Sequence, residues 1–267
     1  AKKNLSDSYG FIASILEKQS RLTEALELYE KSKSIREALA SENPTPNARR
    51  NMAVSYIKIA DILKSQGQLT EALELSEKSK LIFEALTRED PTLDARAYLA
   101  VSYSNIASIF EKQIRLTEAL ELYEKAKSIL EGLVSENPPP EYRRLLAFCY
   151  CYIAGTLNKQ ERLTEALEMY EKAKMILEML VSVNPTPETK KNLSDIYNII
   201  ASILEKQCRL IEALELYEKE KSILEVLAAE NPTPGVREDL AFRYSNIASI
   251  LEKQSRLTEA LELYEKE

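Results

Sequence analysis

The thirteen residues QSRLTEALELYEK occupy positions 19–31, and the identical letters return at positions 254–266. The pattern R/Q-L-x-E-A-L-E inside this stretch occurs six times, and each copy begins 47 residues after the previous one. A fixed period of about 20–50 residues is typical of stacked repeat proteins, in which each unit buries its apolar face on its neighbours. The sequence therefore predicts an array of repeated units, whose patterns start at Arg21, Gln68, Arg115, Arg162, Arg209 and Arg256.

Each unit has the pattern of two helices. Residues 4–19 carry apolar side chains at helical spacing, and a second stripe of this kind begins at Leu22. The spacing lapses at residues 19–21, which predicts a tight turn between the two helices. Proline then ends the second helix, because it lacks an amide hydrogen and disfavours helix at the residue before it. We expect helices of roughly 16 and 20 residues, the longer ones ending before Pro44, Pro91, Pro138, Pro185 and Pro232.

Aromatic and small residues recur at constant offsets in the six copies. In the first copy they are Tyr9, Ala13, Ala25 and Tyr29, and among the other copies only Ser76 departs from this set. This arrangement, followed by a proline, resembles the tetratricopeptide repeat. The 47-residue unit is similar to the long-repeat branch of that family, which includes kinesin light chains and bacterial regulatory proteins. The resemblance implies an all-α fold, a right-handed superhelical solenoid of stacked antiparallel helix hairpins.

The repeat also predicts the domain organisation. Because no boundary interrupts the period, we expect a single array of six units with the last one truncated. The units comprise residues 1–46, 47–93, 94–140, 141–187, 188–234 and 235–267.

Composition narrows the classes of partner. The formal net charge is −7, and Lys and Arg form no run longer than a pair, so we expect no nucleic-acid partner. No apolar stretch approaches the roughly 20 residues that span a bilayer, and no signal-peptide pattern opens the chain. The sequence therefore predicts no membrane partner and a cytoplasmic location.

The sequence offers little for catalysis or metal binding. Histidine, the commonest general base, is absent from the chain, and no Gly-rich phosphate loop occurs. Cys149, Cys151 and Cys208 are too few for a disulfide framework, so we interpret them as small apolar thiols. The recurring carboxylates, such as Glu24 and Glu27, fit a solvated helix face. We therefore predict no enzyme, no cofactor and no metal site.

Candidate binding residues follow from the resemblance, which implies that the first helix of each hairpin lines a concave groove for an extended or helical partner. The candidates flank the Tyr-x3-Ala framework, and the alternative for each is a solvent-facing position without a binding role. Lys58 is the only basic one, which argues against a clamp for a carboxylate. The candidates are Ser14, Asp61, Ser108, Gly155, Ser202, Ser249, Lys58, Asn105, Tyr152, Asn198 and Asn246.

The functional hypothesis is a non-catalytic scaffold for protein–protein interaction that binds a peptide or helix in this groove, as part of a larger protein. One alternative is a structural spacer or a solenoid that associates with itself end to end. Another is a sensory or autoinhibitory array beside an effector domain.

Overall fold

The computed structural model describes residues 2–136 and 138–265, and within these ranges the chain forms twelve α-helices and no strand. Six hairpins follow one another, each made of a first and a second helix. In chain order the helices are α1 (Lys2–Lys18), α2 (Leu22–Glu42), α3 (Pro46–Ser65), α4 (Leu69–Glu89), α5 (Leu93–Lys112), α6 (Leu116–Ser135), α7 (Pro140–Lys159), α8 (Leu163–Val183), α9 (Pro187–Lys206), α10 (Leu210–Glu230), α11 (Pro234–Lys253) and α12 (Leu257–Tyr264).

The chain divides into two compact units, Ala1–Tyr142 and Arg143–Glu267. In the first unit each helix from α1 to α5 packs against the next one in the chain. In the second unit the same consecutive packing runs from α8 to α12. The predicted all-α architecture of helix hairpins is confirmed. The single array of six units and its right-handed superhelix stay predictions.

Four of the first helices begin at a capping threonine. Thr45 precedes α3, and its Oγ1 accepts a hydrogen bond of 3.2 Å from the backbone N–H of Ala48. Pro46 then occupies the first turn, where a missing N–H costs nothing and the fixed φ suits a helix. Helix α3 is 20 residues long, about a turn more than the expected 16. The same threonine cap recurs at Thr92, Thr186 and Thr233.

The turn inside each hairpin uses left-handed backbone. Ser20 has a φ of 60°, and the N–H of Arg21 reaches back 3.0 Å to the carbonyl oxygen of Leu16. This closure satisfies the last carbonyls of the helix and normally favours glycine at the left-handed position. Only the second copy has a glycine at this position, Gly67, with a φ of 80°. The other left-handed residues are Ile114, Glu161, Cys208 and Ser255.

The alanines that recur at constant offsets are buried in the core. Ala13 and Ala25 are completely buried, and both belong to a core cluster that also contains Tyr29, Ile59 and Ile62. Because a methyl group is small, helix backbones approach each other closely at these points. The cluster joins the first hairpin to the second and so forms part of the interface between repeats.

A tyrosine–glutamate hydrogen bond recurs between neighbouring hairpins within each unit. The hydroxyl of Tyr56 on α3 donates to Glu37 Oε1 on α2 at 2.8 Å, and Tyr103 donates to Glu84 at 2.9 Å. Burial, followed by the bond to Glu84, raises the pKa of Tyr103 to about 12, so the hydroxyl keeps its proton. The second unit has the equivalent bonds Tyr197–Glu178 at 2.7 Å and Tyr244–Glu225 at 3.0 Å.

The left-handed turn residues predict that glycine at this position gives a higher free energy of unfolding than isoleucine does. Ile114 is β-branched, 82% exposed and held at a φ of 62°, a conformation that costs an L-residue roughly 1–2 kcal/mol. We expect Ile114→Gly to raise the free energy of unfolding by about 1 kcal/mol, after the greater freedom of glycine in the unfolded chain is subtracted. Gly67→Ile, at the equivalent turn, should lower it by a similar amount.

Urea unfolding followed by circular dichroism measures both changes. Equal midpoints for the wild type and Gly67→Ile would show that the left-handed turn is not the source of strain.

Candidate functional site

The predicted groove residues all lie on first helices. Ser14 is on α1, Lys58 and Asp61 are on α3, and Asn105 and Ser108 are on α5. In the second unit, Tyr152 and Gly155 lie on α7, Asn198 and Ser202 on α9, and Asn246 and Ser249 on α11. Tyr152 is 48% exposed, and the other ten residues are half-buried. Each candidate therefore presents part of its surface to solvent, as a groove residue must.

Several candidates already use their polar groups inside the protein. Asp61 forms an ion pair with Lys64 at 3.1 Å on the same helix. The hydroxyl of Ser108 donates to the backbone oxygen of Asn105 at 3.2 Å, and Ser202 Oγ lies 3.2 Å from the hydroxyl of Tyr217. The polar groups of these three candidates are therefore already engaged by other groups of the protein.

Gly155 lies close to the second helix of its own hairpin. A Cβ at this position would stand 3.6 Å from the hydroxyl oxygen of Tyr170, which is ordinary contact distance. The glycine is therefore not required by packing.

Sequence reasoning missed one row of the same face. Its members each lie four residues before a position of the row Phe11, Lys58, Asn105, Tyr152, Ile199 and Asn246, and they belong to the first helices: Asp7, Val54, Val101, Phe148, Asp195 and Phe242. Residues at i and i+4 share a helix face, so this spacing was the available signal. Phe242 is 60% exposed, which is unusual for a phenylalanine.

The first-helix faces of the two units differ in chemistry. In the first unit the face is mixed, with the charges of Lys58 and Asp61 and the amide of Asn105. In the second unit Tyr152 and Phe242 are 48% and 60% exposed, and Ile199 is half-buried on α9. The first unit also exposes Phe11 on α1 to 72%, and the second also carries Asn198 and Asn246, so both faces combine polar and aromatic groups in different arrangements.

Arg36 on α2 is a polar residue at a core position. Its guanidinium donates to Ser6 Oγ at 3.1 Å, to Ser55 Oγ at 2.9 Å and to Asp7 Oδ1 at 3.2 Å. An adjacent cavity of about 230 Å³ is lined by Arg36, Lys3 and Asn51. Since all three guanidinium nitrogens have protein partners, Arg36 joins α1, α2 and α3 and is not an open anion site. In the other copies this position is fully apolar, with Phe83, Leu130, Leu177 and Leu224 at most 2% exposed.

A buried ion pair joins α10 to α11. Arg243 and Glu220 are 1% and 4% exposed, and Arg243 Nη2 donates to Glu220 Oε1 at 3.0 Å. Arg243 Nε lies 2.8 Å from Glu220 Oε2, although these two atoms lack hydrogen-bond geometry. The guanidinium also stacks over the ring of Tyr217 at 4.2 Å. The pair is sealed from solvent, so we interpret it as part of the interface between hairpins.

Burial dominates the electrostatics of this pair. It raises the pKa of Glu220 from an ordinary value of 4.5 to about 7, while Arg243 lowers it by less. Asp195 adds a smaller upward influence and Lys191 a smaller downward one.

The cysteines are spread over different environments. Cys149 is buried, Cys151 half-buried and Cys208 exposed, and none of them forms a disulfide. Burial raises the pKa of Cys151 to about 12, which keeps its thiol protonated. In the described part of the chain no group of three or more Cys, Asp or Glu is arranged to hold a metal ion. Across residues 2–136 and 138–265, no helix has both the length and the apolar character to cross a bilayer.

Comparison with known proteins supports the repeat. The family model for the tetratricopeptide repeat matches residues 5–44 and 99–139, and no curated protein sequence matches the chain. BtubC (BKLC) from P. vanneervenii has a similar fold, with a TM-score of 0.68 and 16% identity over 92% of this chain and 89% of that chain. The apo form of RapI has a TM-score of 0.61 and 15% identity over 97% and 95% of the two chains. A protein from Podosopora anserina with nearly identical TPR-like repeats has a TM-score of 0.55 and 18% identity over 87% and 99%. At these identities the likeness concerns the fold alone.

The buried ion pair predicts that its two single substitutions lower the free energy of unfolding by different amounts. Glu220→Ala should lower the free energy of unfolding by about 3 kcal/mol or more, because it leaves an arginine that cannot lose its charge in an apolar interface. Arg243→Ile should cost less, since a protonated glutamic acid is neutral. The chain provides the matched double variant, because the equivalent positions one repeat earlier hold Ala173 and Ile196, both buried.

We expect Glu220→Ala with Arg243→Ile to be about as stable as the wild type or more so. Thermal and urea unfolding of the wild type, the two single variants and the double variant measures the coupling between the two side chains. Additive losses in the double variant would contradict the pairing.

The raised pKa of Glu220 predicts a pH dependence. Between pH 4.5 and about 7, the folded protein holds a proton on Glu220 that the unfolded chain has released. The free energy of unfolding should therefore fall as pH rises through this interval and level off on either side. Glu220→Gln should lack this component, so the difference between the two unfolding curves, measured at several pH values, isolates it. A difference that grows in favour of the wild type with rising pH would refute the assignment.

Proposed function

We propose that this chain, of which residues 5–44 and 99–139 match the family model for the tetratricopeptide repeat, is a non-catalytic scaffold that binds a peptide or helix of another protein along its first helices. The observation that carries the proposal is the contrast between constant and variable positions. Ala13, Ala25 and their counterparts are at most 2% exposed in every copy, so packing accounts for them. The first-helix face is partly exposed and changes from copy to copy.

The variable positions suit recognition through shape. The row of Ser14, Ser108, Gly155 and their counterparts is small apart from Asp61, so a partner backbone can approach the helices closely. Around it stand larger side chains that differ between copies, such as Lys58, Tyr152 and Phe242. Grooves of this kind obtain affinity from many contacts and specificity from a few of them.

Both units offer exposed aromatic rings beside polar groups. The first unit offers Lys58, Asp61 and Asn105 with the ring of Phe11, which is 72% exposed, and these suit a segment with both polar and apolar side chains. The second unit offers the exposed rings of Tyr152 and Phe242, which are 48% and 60% exposed and suit apolar side chains. Aromatic side chains dominate the energetics of many protein interfaces, so we expect Phe11, Tyr152 and Phe242 to contribute most of the affinity.

Charge introduced on the first-helix face tests the proposal. Peptides selected from a random display library on the wild type provide the probe, and fluorescence anisotropy measures their affinity. Ser108→Glu combined with Ser249→Glu should weaken binding at least tenfold, because each carboxylate would lose solvation beneath a bound segment. Ser249 is preferred to Ser202, whose hydroxyl lies 3.2 Å from that of Tyr217.

The matched control makes the same chemical change elsewhere. Ser128 and Ser222 are exposed on the second helices α6 and α10, one in each unit, and Ser128→Glu with Ser222→Glu should leave peptide affinity unchanged. Both double variants should retain the helical circular dichroism spectrum. Loss of binding in the control, or normal binding in the first-helix variant, would place the binding surface on another face.

A further inference from the structure

Helix α8 exposes a row of apolar side chains in its second half. Met175 is 66% exposed, Met179 is 39% exposed and Val183 is 74% exposed. They follow one another at intervals of four residues, so they share one face of the helix and span about 12 Å along it. The buried side of the same half is formed by Leu177 and Leu180. We call Met175, Met179 and Val183 the α8 stripe.

The second helices of other copies hold smaller or charged residues at these three positions. Each of α2, α4, α6 and α10 has at most one large apolar residue among the three, and the third residue is a glutamate. In chain order the sets are Ser34, Ala38 and Glu42; Leu81, Ala85 and Glu89; Ser128, Gly132 and Glu136; and Ser222, Val226 and Glu230. These helices form hairpins of the same kind, so hairpin packing does not require the apolar groups of the α8 stripe.

Val183 stands where four other copies have an ion pair. The equivalent glutamates each lie beside a cation near the start of the first helix in the same hairpin, and the pairs are Lys2–Glu42, Arg49–Glu89, Arg96–Glu136 and Lys190–Glu230. Valine puts an apolar group in the place of this charged one. Single exposed apolar residues are ordinary on a protein surface, whereas a contiguous exposed apolar patch with a polar rim marks an interaction site.

The same face of α8 is charged before the stripe begins. Glu168 and Lys172 are exposed there, seven and three residues before Met175. Lys172 Nζ stands 5.7 Å from the centre of a tyrosine ring on α7, and Glu165 is paired with Arg162 at 2.6 Å. Among the described residues, Glu168 has no ion-pair partner and no side-chain hydrogen bond. The face therefore presents an unengaged carboxylate two turns before the apolar row.

We propose that this face binds an amphipathic helix of another protein, whose apolar side chains pack on the α8 stripe and whose last turn carries Lys or Arg beside Glu168. Side chains four residues apart form ridges that pack into the grooves of a second helix. An extended segment binds mainly by adding to the edge of a sheet, and the described residues form no strand. Methionine side chains are flexible and polarizable, so they adapt to the apolar surface of a partner.

The charges favour an antiparallel orientation of the two helices. The helix dipole stabilises basic residues in the last turn of a helix and acidic residues in the first. In the antiparallel arrangement the last turn of the partner lies beside Glu168, which precedes the stripe. Basic residues in that turn therefore stabilise the partner helix and also complement Glu168.

The charges also disfavour a second copy of this chain as the occupant. Parallel pairing of α8 with itself places Glu168 beside Glu168 of the second copy. Antiparallel pairing of Met175 with Met179 places Glu168 opposite Thr186, beyond the end of α8 at Val183, and gains no ion pair. The proposed occupant is therefore a different protein. The site lies on a second helix and is independent of peptide binding along the first helices.

A designed peptide provides the probe. It has about 18 residues, with leucines at i, i+4, i+7 and i+11, lysines in its last turn, and alanine and glutamine elsewhere. Fluorescence anisotropy with the full chain should show saturable one-to-one binding. Absence of binding at a protein concentration of about 1 mM overturns the proposal.

A triple variant tests the stripe. Met175→Ser, Met179→Ala and Val183→Glu together give α8 the residues that α2 has at these positions, so the helical circular dichroism spectrum should be retained. Probe affinity should fall at least tenfold because the apolar contact is lost. As a matched control, Ser108→Glu with Ser249→Glu changes the first-helix face and should leave probe affinity unchanged. Probe binding that survives the triple variant, or that the control removes, overturns the proposal, whatever the first-helix face binds.

A charge reversal tests the orientation without any change in the apolar row. Glu168→Lys should weaken binding of the lysine probe several-fold and strengthen binding of a matched peptide with glutamates in place of the lysines. Because each peptide is compared with itself on two proteins, its own helicity cancels. Equal affinities of the wild type and Glu168→Lys for both peptides overturn the proposed pairing.

Two other occupants have distinct signatures. A dimer of the wild type in sedimentation velocity that the triple variant abolishes would assign the stripe to a second copy. Sedimentation with vesicles of phosphatidylcholine and phosphatidylserine that the triple variant abolishes would assign it to a membrane surface. Either result overturns the helical partner.

Discussion

A helix hairpin of this sequence cannot bury its apolar face alone, and that constraint underlies the rest of the structure. The face of α3 is covered by α2, and the hydroxyl of Tyr56 reaches Glu37 across the same interface. Because each hairpin meets the same problem, the same alanines and tyrosines solve it in each copy. The letters that return most faithfully are therefore packing residues. The surface that no neighbouring hairpin covers is free to change from copy to copy.

Much of the fold could be predicted because the responsible interactions are local or periodic. The turn at residues 19–21 follows from the lapse in apolar spacing, and the helix ends follow from proline. The left-handed backbone of Ser20 and Ile114 could not be predicted, since neither residue signals it as Gly67 does. The ion pair of Glu220 and Arg243 also escaped prediction, because the two charges look solvated until their helices are brought together.

The candidate site was only partly predictable for a related reason. Helical spacing is enough to place Lys58, Asn105 and Tyr152 on first helices. Exposure is a property of the assembled hairpins, however, and it distinguishes the open ring of Phe242 from the buried ring of Phe83. Internal partners are also hidden from sequence reasoning, as the contact of Ser202 with Tyr217 shows.

One buried position between neighbouring hairpins varies more than packing alone requires. It holds the hydrogen-bonded pair Ser79 and Ser102, 3.1 Å apart, then Ala173 with Ile196, and finally Glu220 with Arg243. Repeats that are nearly alike can assemble out of order, because one hairpin is an acceptable substitute for another. If α11 docked one repeat too early, Arg243 would face Ala173 and its charge would be buried without a counter-ion. The pair therefore disfavours packing of the α11–α12 hairpin one repeat too early and favours its packing against α10.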